Sequence, residues 1–503
     1  MPLMFKSAQR EHGKLQPHIH AGIFNIRLPL VHWEIEVPEA IQGMIVFMTG
    51  ASATVYLETQ FDLPFTIALS IVIVHEFLYL WQNMMGDALI GGWITPAVPL
   101  IIIYLEQFPY DRAAGVHDKM YALLALEIIL GLMYVILGLT KIAGKLVGWC
   151  PSSLKGGILM GAGMSAAIGT YGFKAVEDGG KGFWAMPVTF SIGVLLALFL
   201  LFSYGFGKVK RGNNFAVKII SKLGFVPALL IAYFIGMLLG EIGKPVFDQP
   251  GIIFNPFPGL GYAFQNLTIF GIGIPPAHIF ASAFPMAVMT YVIAFGDIVG
   301  GHAFLNETKK FRDDEDLDMN PDRTNICCGV RNLIEAMFAP TCTMSGPLWT
   351  AMTVTVAERY KSGKENMYSF FGGACTFNLF KALSCCCIPL MALVRPVLPL
   401  AMALTLMIQA FGSFYVGMTF CRNNIERGVA GITACVIATS ANPSVGLFVG
   451  IALAVVVEFI HSKRLERAEK VLEGLEETAA EISGAAAAVE EIKTTANKAS
   501  ISK

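Results

Sequence analysis

The chain has 503 residues, of which 55% are hydrophobic and only 15% charged, and its formal net charge is −1. A soluble protein of this length carries nearer a quarter charged residues, so a string of soluble domains is excluded. No bulk polyanion partner follows from the charge, no basic aromatic stripe points to nucleic acid, and the ten cysteines show no C-x-x-C, reading as packing residues rather than disulfides or a zinc site.

Residues 1–36 are polar and mixed, without the apolar centre of a cleavable signal peptide, and are expected to form a cytosolic N-terminal segment. Apolar runs near the roughly 20 residues that cross a bilayer then recur. They fall at about 37–57, 63–83, 86–105, 117–140, 151–172, 183–205, 215–240, 277–303, 324–340, 341–357, 366–393, 397–420, 427–441 and 444–461. About fourteen spans are thus predicted within a transmembrane domain over 37–461.

Loop charge orients them. "KIAGK" (141–145), "KVKRGNNFAVKIISK" (208–222), "ERYKSGK" (358–364) and "CRNNIER" (421–427) are basic, whereas "LETQFD" (57–62) and the turn-rich stretch 241–266 hold few basic residues. The asymmetry predicts an even span count in the plasma or inner membrane, with both ends cytosolic. The loop 306–323 mixes both signs and decides nothing. Beyond 461 the charged, alanine-rich stretch 462–503 is expected to be a partly helical cytosolic tail.

Two spans are broken. In "GGWITPAVPLIIIY" (91–104) and "FAPTCTMSGPLWTAMTVTV" (338–356), extended residues and a hydroxyl precede a Pro/Gly break and then a half-helix, predicted to start at Pro96 in the first. Non-helical backbone survives at membrane depth only where protein or a water-filled cavity satisfies it. The breaks lie in the third and tenth spans, seven apart, and an odd repeat unit must be inverted. Paired interrupted spans in inverted halves point to a transporter's binding site.

At these residues, and in "AFGDIVGGHAF" and "GVRNLIEAMFAP" nearby, the sequence resembles the nucleobase–ascorbate transporter (xanthine/uracil permease) superfamily and, more distantly, the sulfate permease fold. The resemblance implies an all-α polytopic protein with seven-plus-seven inverted repeats, about 37–240 and 277–461. It also implies core and gate domains, and short strands in the third and tenth spans. Carried over by position, the substrate residues are Trp93, Ile94, Thr95, Asp297, Thr343, Met344, Ser345 and Gly346. The family's second acid after the tenth-span strand is missing from "SGPLWTAM". Two half-helix N-termini without it suit an anion better.

Ionisable residues inside spans ask for a reason. Asp297, flanked by glycines, is the candidate proton-coupling group, with His75 and Glu76 read either as a proton relay or as part of an internal hydrogen-bonded pair between helices. Arg331 and Glu335 are expected to neutralise each other at i, i+4, Glu127 to make a structural bond, and His302 to lie near the cytosolic mouth. Lys381 is read either as facing Asp297 or an anion, or as snorkelling. The expected function is a proton-coupled symporter of a nucleobase or related heterocycle, with a homodimer as the family's habit. Small organic or inorganic anions are the alternative cargo, and a passive channel the alternative class. No organic cofactor is expected; H+ is the expected coupling ion, with Na+ open. No P-loop, HExxH, G-x-S-x-G or C-x-x-C-H motif supports a pump or an enzyme.

Overall fold

A computed structural model describes residues 9–210, 223–245, 247 and 250–458. Most of the basic loop 208–222 and all of the tail 462–503 lie outside the described residues, so the expectations placed on them go no further.

The N-terminal segment is structured. β1 (Lys14–Leu15) runs parallel to β5 (Glu315–Asp316), while β2 (Ile19–Ala21) and β3 (Phe24–Ile26) form a hairpin. This ties residues near the N-terminus to the mixed-charge loop after the long helix α10 (Ala277–Lys309). Asp314 bridges Arg10 at 2.6 Å and Arg312 at 2.7 Å, and Asp318 bridges Arg27 at 3.1 Å and Arg323 at 2.5 Å. Hydrogen bonds from Arg312 are the first cause that pulls Asp314 down to about 2; Arg10 adds to them against the upward push of burial.

Helices make up most of the chain. The first predicted span is two helices, α1 (Val37–Ala51) and α2 (Ala53–Phe61), separated at Ser52. There the hydroxyls of Thr49, Ser52 and Thr54 donate to carbonyls one turn back, a competition that bends helices. After α3 (Phe65–Met84) and the first break come α4 (Val98–Leu105), α5 (Asp118–Thr140), α6 (Ser152–Ile168), α7 (Pro187–Phe202) and α8 (Val226–Leu239). The stretch 241–266, predicted as turns, ends in α9 (Phe257–Asn266). α10 runs past its expected end at 303 to Lys309. It is followed by α11 (Pro321–Phe338), capped by the Asn320 side chain, and by α12 (Thr350–Lys361) beyond the second break. α13 (Phe370–Cys385), α14 (Leu398–Phe420), α15 (Asn424–Thr439) and α16 (Pro443–Leu453) follow, with short helices such as Ile388–Val394 between the longer ones.

Among the described residues, five helical segments are long and apolar enough to cross a bilayer: Val37–Phe61, Phe65–Met84, Asp118–Thr140, Ala277–Lys309 and Ile388–Phe420. Shorter apolar helices lie beside them, and the chain is a multi-pass membrane protein. All ten cysteines are free thiols.

The helices pack in two groups. α13 lies along α1 and α3, and α5 along α10 and α11. Separately, α6 lies along α14 and α15, α7 along α8, and α15 along α16. α1 meets α14, and α4 meets α6, where the groups adjoin.

Candidate functional site

Both predicted breaks are present, and they meet. β4 (Gly92–Trp93) pairs antiparallel with β6 (Ser345–Gly346), Gly92 opposite Gly346 and Trp93 opposite Ser345. A methyl group at Gly346 would lie 2.9 Å from Ile94 Cγ1 and 3.0 Å from the Gly92 carbonyl, so glycine is what allows the strands to approach. Met344 holds φ at 49°, in the left-handed region that non-glycine residues seldom occupy.

The half-helices start at other residues than the prolines alone suggest. The first opens with a tight turn over Thr95–Ala97 and continues as α4, so its start is Thr95 rather than Pro96. The second begins at Thr350. Pro347 to Trp349 stay non-helical because the Trp349 amide donates to the Ile90 carbonyl at 2.6 Å, which lengthens the strand contact.

Side chains that the sequence reading passed over satisfy this loose backbone. Asn332 of α11 donates to the Ser345 carbonyl at 2.9 Å and accepts from the Ser345 amide at 3.0 Å, acting as a third strand. Asn83 donates to the carbonyls of Asp87 and Leu89, and Gln82 to Asp87 Oδ2 and the Pro347 carbonyl. Their only sequence signal was polarity, at a helix end for Gln82 and Asn83 and inside an otherwise mixed helix for Asn332.

The expected Arg331–Glu335 pair does not form. Arg331 donates to the Gly346 carbonyl and lies over the Tyr79 ring. Glu335 takes His75 Nδ1 at 2.6 Å and the Ser345 hydroxyl at 2.6 Å. The i, i+4 spacing is outcompeted because a buried strand carbonyl without a donor would be costly. His75 and Glu76 do make internal pairs between helices: His75 Nδ1 meets Glu335 of α11 while its Nε2 bonds the Tyr79 hydroxyl, and Glu76 meets Lys381 on α13, 2.7 Å away. Lys381 is 1% exposed, so it neither snorkels nor pairs with Asp297. Glu127 accepts from the Thr341 amide at 2.8 Å, and His302 Nε2 contacts the Thr324 hydroxyl.

A pocket of ≈ 440 Å³ adjoins the strand crossing, part of that volume open to solvent. Trp93 and Thr95 of the first break line it with Leu348 and Trp349 of the second, and so do Glu76 and Lys381. Thr49, from the first helix group, and Thr405 and Phe225, from the second, lie on its wall, so it sits between the groups. Lys381 Nζ stands 4.4 Å from the Tyr79 ring centroid and 4.9 Å from that of Trp349.

The remaining sequence candidates are not among the residues that line the pocket. Ile94 and Met344 are buried in the apolar core, Thr343 bonds Thr341 and His75, and Ser345 and Gly346 serve the strand pair. Asp297, half-buried on α10, is absent from the pocket's lining, as is His75.

No family profile matches the sequence, and no curated protein does. Solved structures do. The murine solute carrier 26 family member A9 anion transporter, in its inward-facing state, aligns with a TM-score of 0.50 at 13% identity, over 85% of this chain and 69% of that one. The two share a fold. The transmembrane domain of a cyanobacterium bicarbonate transporter, BicA, aligns at 0.46 and 15% identity, over 83% of this chain and 99% of that one. A further SLC26A9 structure gives 0.48 at 15%, over 84% of this chain and 65% of that one. This chain therefore spans about two thirds of the two solute carrier chains.

Proposed function

We propose that this chain is a secondary transporter of a small anion, and that the pocket beside the β4–β6 crossing is its binding site. The observation that carries the reading is Lys381: a buried ammonium on the wall of a pocket beside two half-helix starts. A cation in such a place is costly unless paired, and Glu76 is the partner that an arriving anion would replace. Thr95 and Trp349, immediately at the starts of the two half-helices, line the same pocket, and such starts carry the positive end of the helix dipole. The fold shared with an anion transporter supports the same cargo class.

In this reading the two broken spans belong to inverted halves of seven spans each. The group built on α1, α3, α5, α10, α11 and α13 is the core, and the group built on α6, α7, α8, α14, α15 and α16 is the gate. The pocket draws its wall from both, so sliding one against the other exposes it to each side in turn. Trp93, Thr95, Trp349 and Lys381 touch the cargo.

A nucleobase is the rival cargo. Flat aromatic walls and a carboxylate, Glu76, favour it; that carboxylate's engagement by Lys381, which leaves it no free acceptor role toward a base, weighs against it. Uptake into proteoliposomes separates the two. Labelled benzoate or bicarbonate is expected to accumulate, and Lys381→Gln to abolish accumulation while the protein still purifies as a monodisperse species. Accumulation of uracil with neither anion taken up would overturn the anion reading.

A further inference from the structure

Glu76 and Lys381 are 0% and 1% exposed, and apart from the ammonium neither Glu76 oxygen has a hydrogen-bond partner. A buried carboxylate so thinly held is unusual, because buried charges normally collect several donors. Room for it comes from Gly50 on α1, where a Cβ would overlap Glu76 Oε1. Few other charges bear on it. α13 contributes Lys381 and Cys385, and α3 itself contributes Tyr79. Glu58 of α2 lies within electrostatic reach of Arg395 and Lys181, and α9 carries no charged residue. Arg331 and Glu335 of α11 engage Tyr79 and His75, not Glu76.

We propose that the pocket moves a monovalent organic anion together with one proton, Lys381 being the ligand of the anion and Glu76 the residue that takes the proton. The inference rests on the anion reading above and names its stoichiometry and substrate class. With Glu76 ionised, the ammonium is already neutralised, and an arriving anion would add an uncompensated buried charge. A proton added to a Glu76 oxygen ends the ion pair, leaves a neutral carboxylic acid, and frees the ammonium to bind the anion. When the anion leaves, the proton leaves with it and the ion pair re-forms. Empty and loaded pockets thus carry the same net charge, so both cross the occluded state without exposing charge to a low dielectric. One lysine matches one negative charge, and a dianion would leave a second unmatched. The rings of Tyr79, Trp93 and Trp349 suit the flat body of an aromatic carboxylate.

The test uses the full chain in nanodiscs, reading the fluorescence of the pocket tryptophans during titration with benzoate, sulfate and uracil. Benzoate affinity is expected to rise about tenfold per unit fall in pH while Glu76 is ionised, with one proton taken up per benzoate in weak buffer. Sulfate should bind more weakly at every pH. Glu76→Gln should bind benzoate with no pH slope and no proton uptake. The paired Glu76→Gln/Lys381→Gln variant should bind none. Should Glu76→Gln not fold, proton uptake by the unaltered protein decides. Absent proton uptake, a wild-type slope in Glu76→Gln, or tighter binding of sulfate each overturns the coupling and leaves the anion reading standing. Binding of uracil alone overturns both.

Discussion

Asn332 shows how a single side chain makes a broken span tolerable. Its amide pairs with both backbone groups of Ser345, at 2.9 and 3.0 Å, in a site closed to water. Asn332→Ala would orphan a buried donor and a buried acceptor, each costing about 1–3 kcal/mol. We expect a clear drop in the melting temperature of the detergent-purified protein, together with loss of benzoate uptake. An unchanged melting temperature would show that the strand finds other partners. Ile94 and Met344, by contrast, are buried in the apolar core, and we expect substitutions between aliphatic residues there to leave uptake close to normal.

At the scale of elements, the strand crossing depends on two glycines facing each other. The Cβ of Gly346→Ala would press on Ile94 Cγ1 and on the Gly92 carbonyl, and the latter, as backbone, cannot swing aside. Uptake should fall at least about tenfold, roughly 1.4 kcal/mol, while Gly428→Ala on α15, where a Cβ meets nothing within 4 Å, leaves uptake unchanged. Both breaks were legible in the sequence because Gly, Pro and hydroxyl residues interrupt otherwise apolar runs. Their exact starts were not, since Trp349 is held extended by a hydrogen bond to a residue far away in sequence. The pairing of charges was also hidden. Glu76 and Lys381 lie on helices that only tertiary packing brings together, and no periodicity tells which carboxylate meets which cation. Asp297 stood out for its flanking glycines, yet it is not among the residues that line the pocket.

For the whole molecule, the N-terminal segment fastens the loop after α10 through β1 and β5 and through the arginines around Asp314 and Asp318. The Asp314 carboxyl is lowered in the folded protein, so its contribution is present above the unfolded value near pH 4. It fades as pH falls toward about 2, where the folded group itself protonates. Hydrogen exchange of the Lys14–Leu15 and Glu315–Asp316 amides should therefore stay slow at neutral pH and quicken, relative to the helices, over that acid window. Asp314→Asn should show fast exchange already at neutral pH. Equal protection in that variant would mean that the strand pair holds without the ion pairs. The segment's polarity was plain in the sequence, but its docking was not, because two-residue strands carry too little pattern to read.

The central claim is that the two broken spans meet to form one anion pocket beside Lys381. Anomalous diffraction from crystals grown with 4-bromobenzoate tests it most directly. The account predicts a bromine peak in the pocket between Trp93 and Trp349, with the carboxylate directed at Lys381 Nζ. A peak only at a place remote from the β4–β6 crossing, or either broken span seen as one continuous helix, would contradict it.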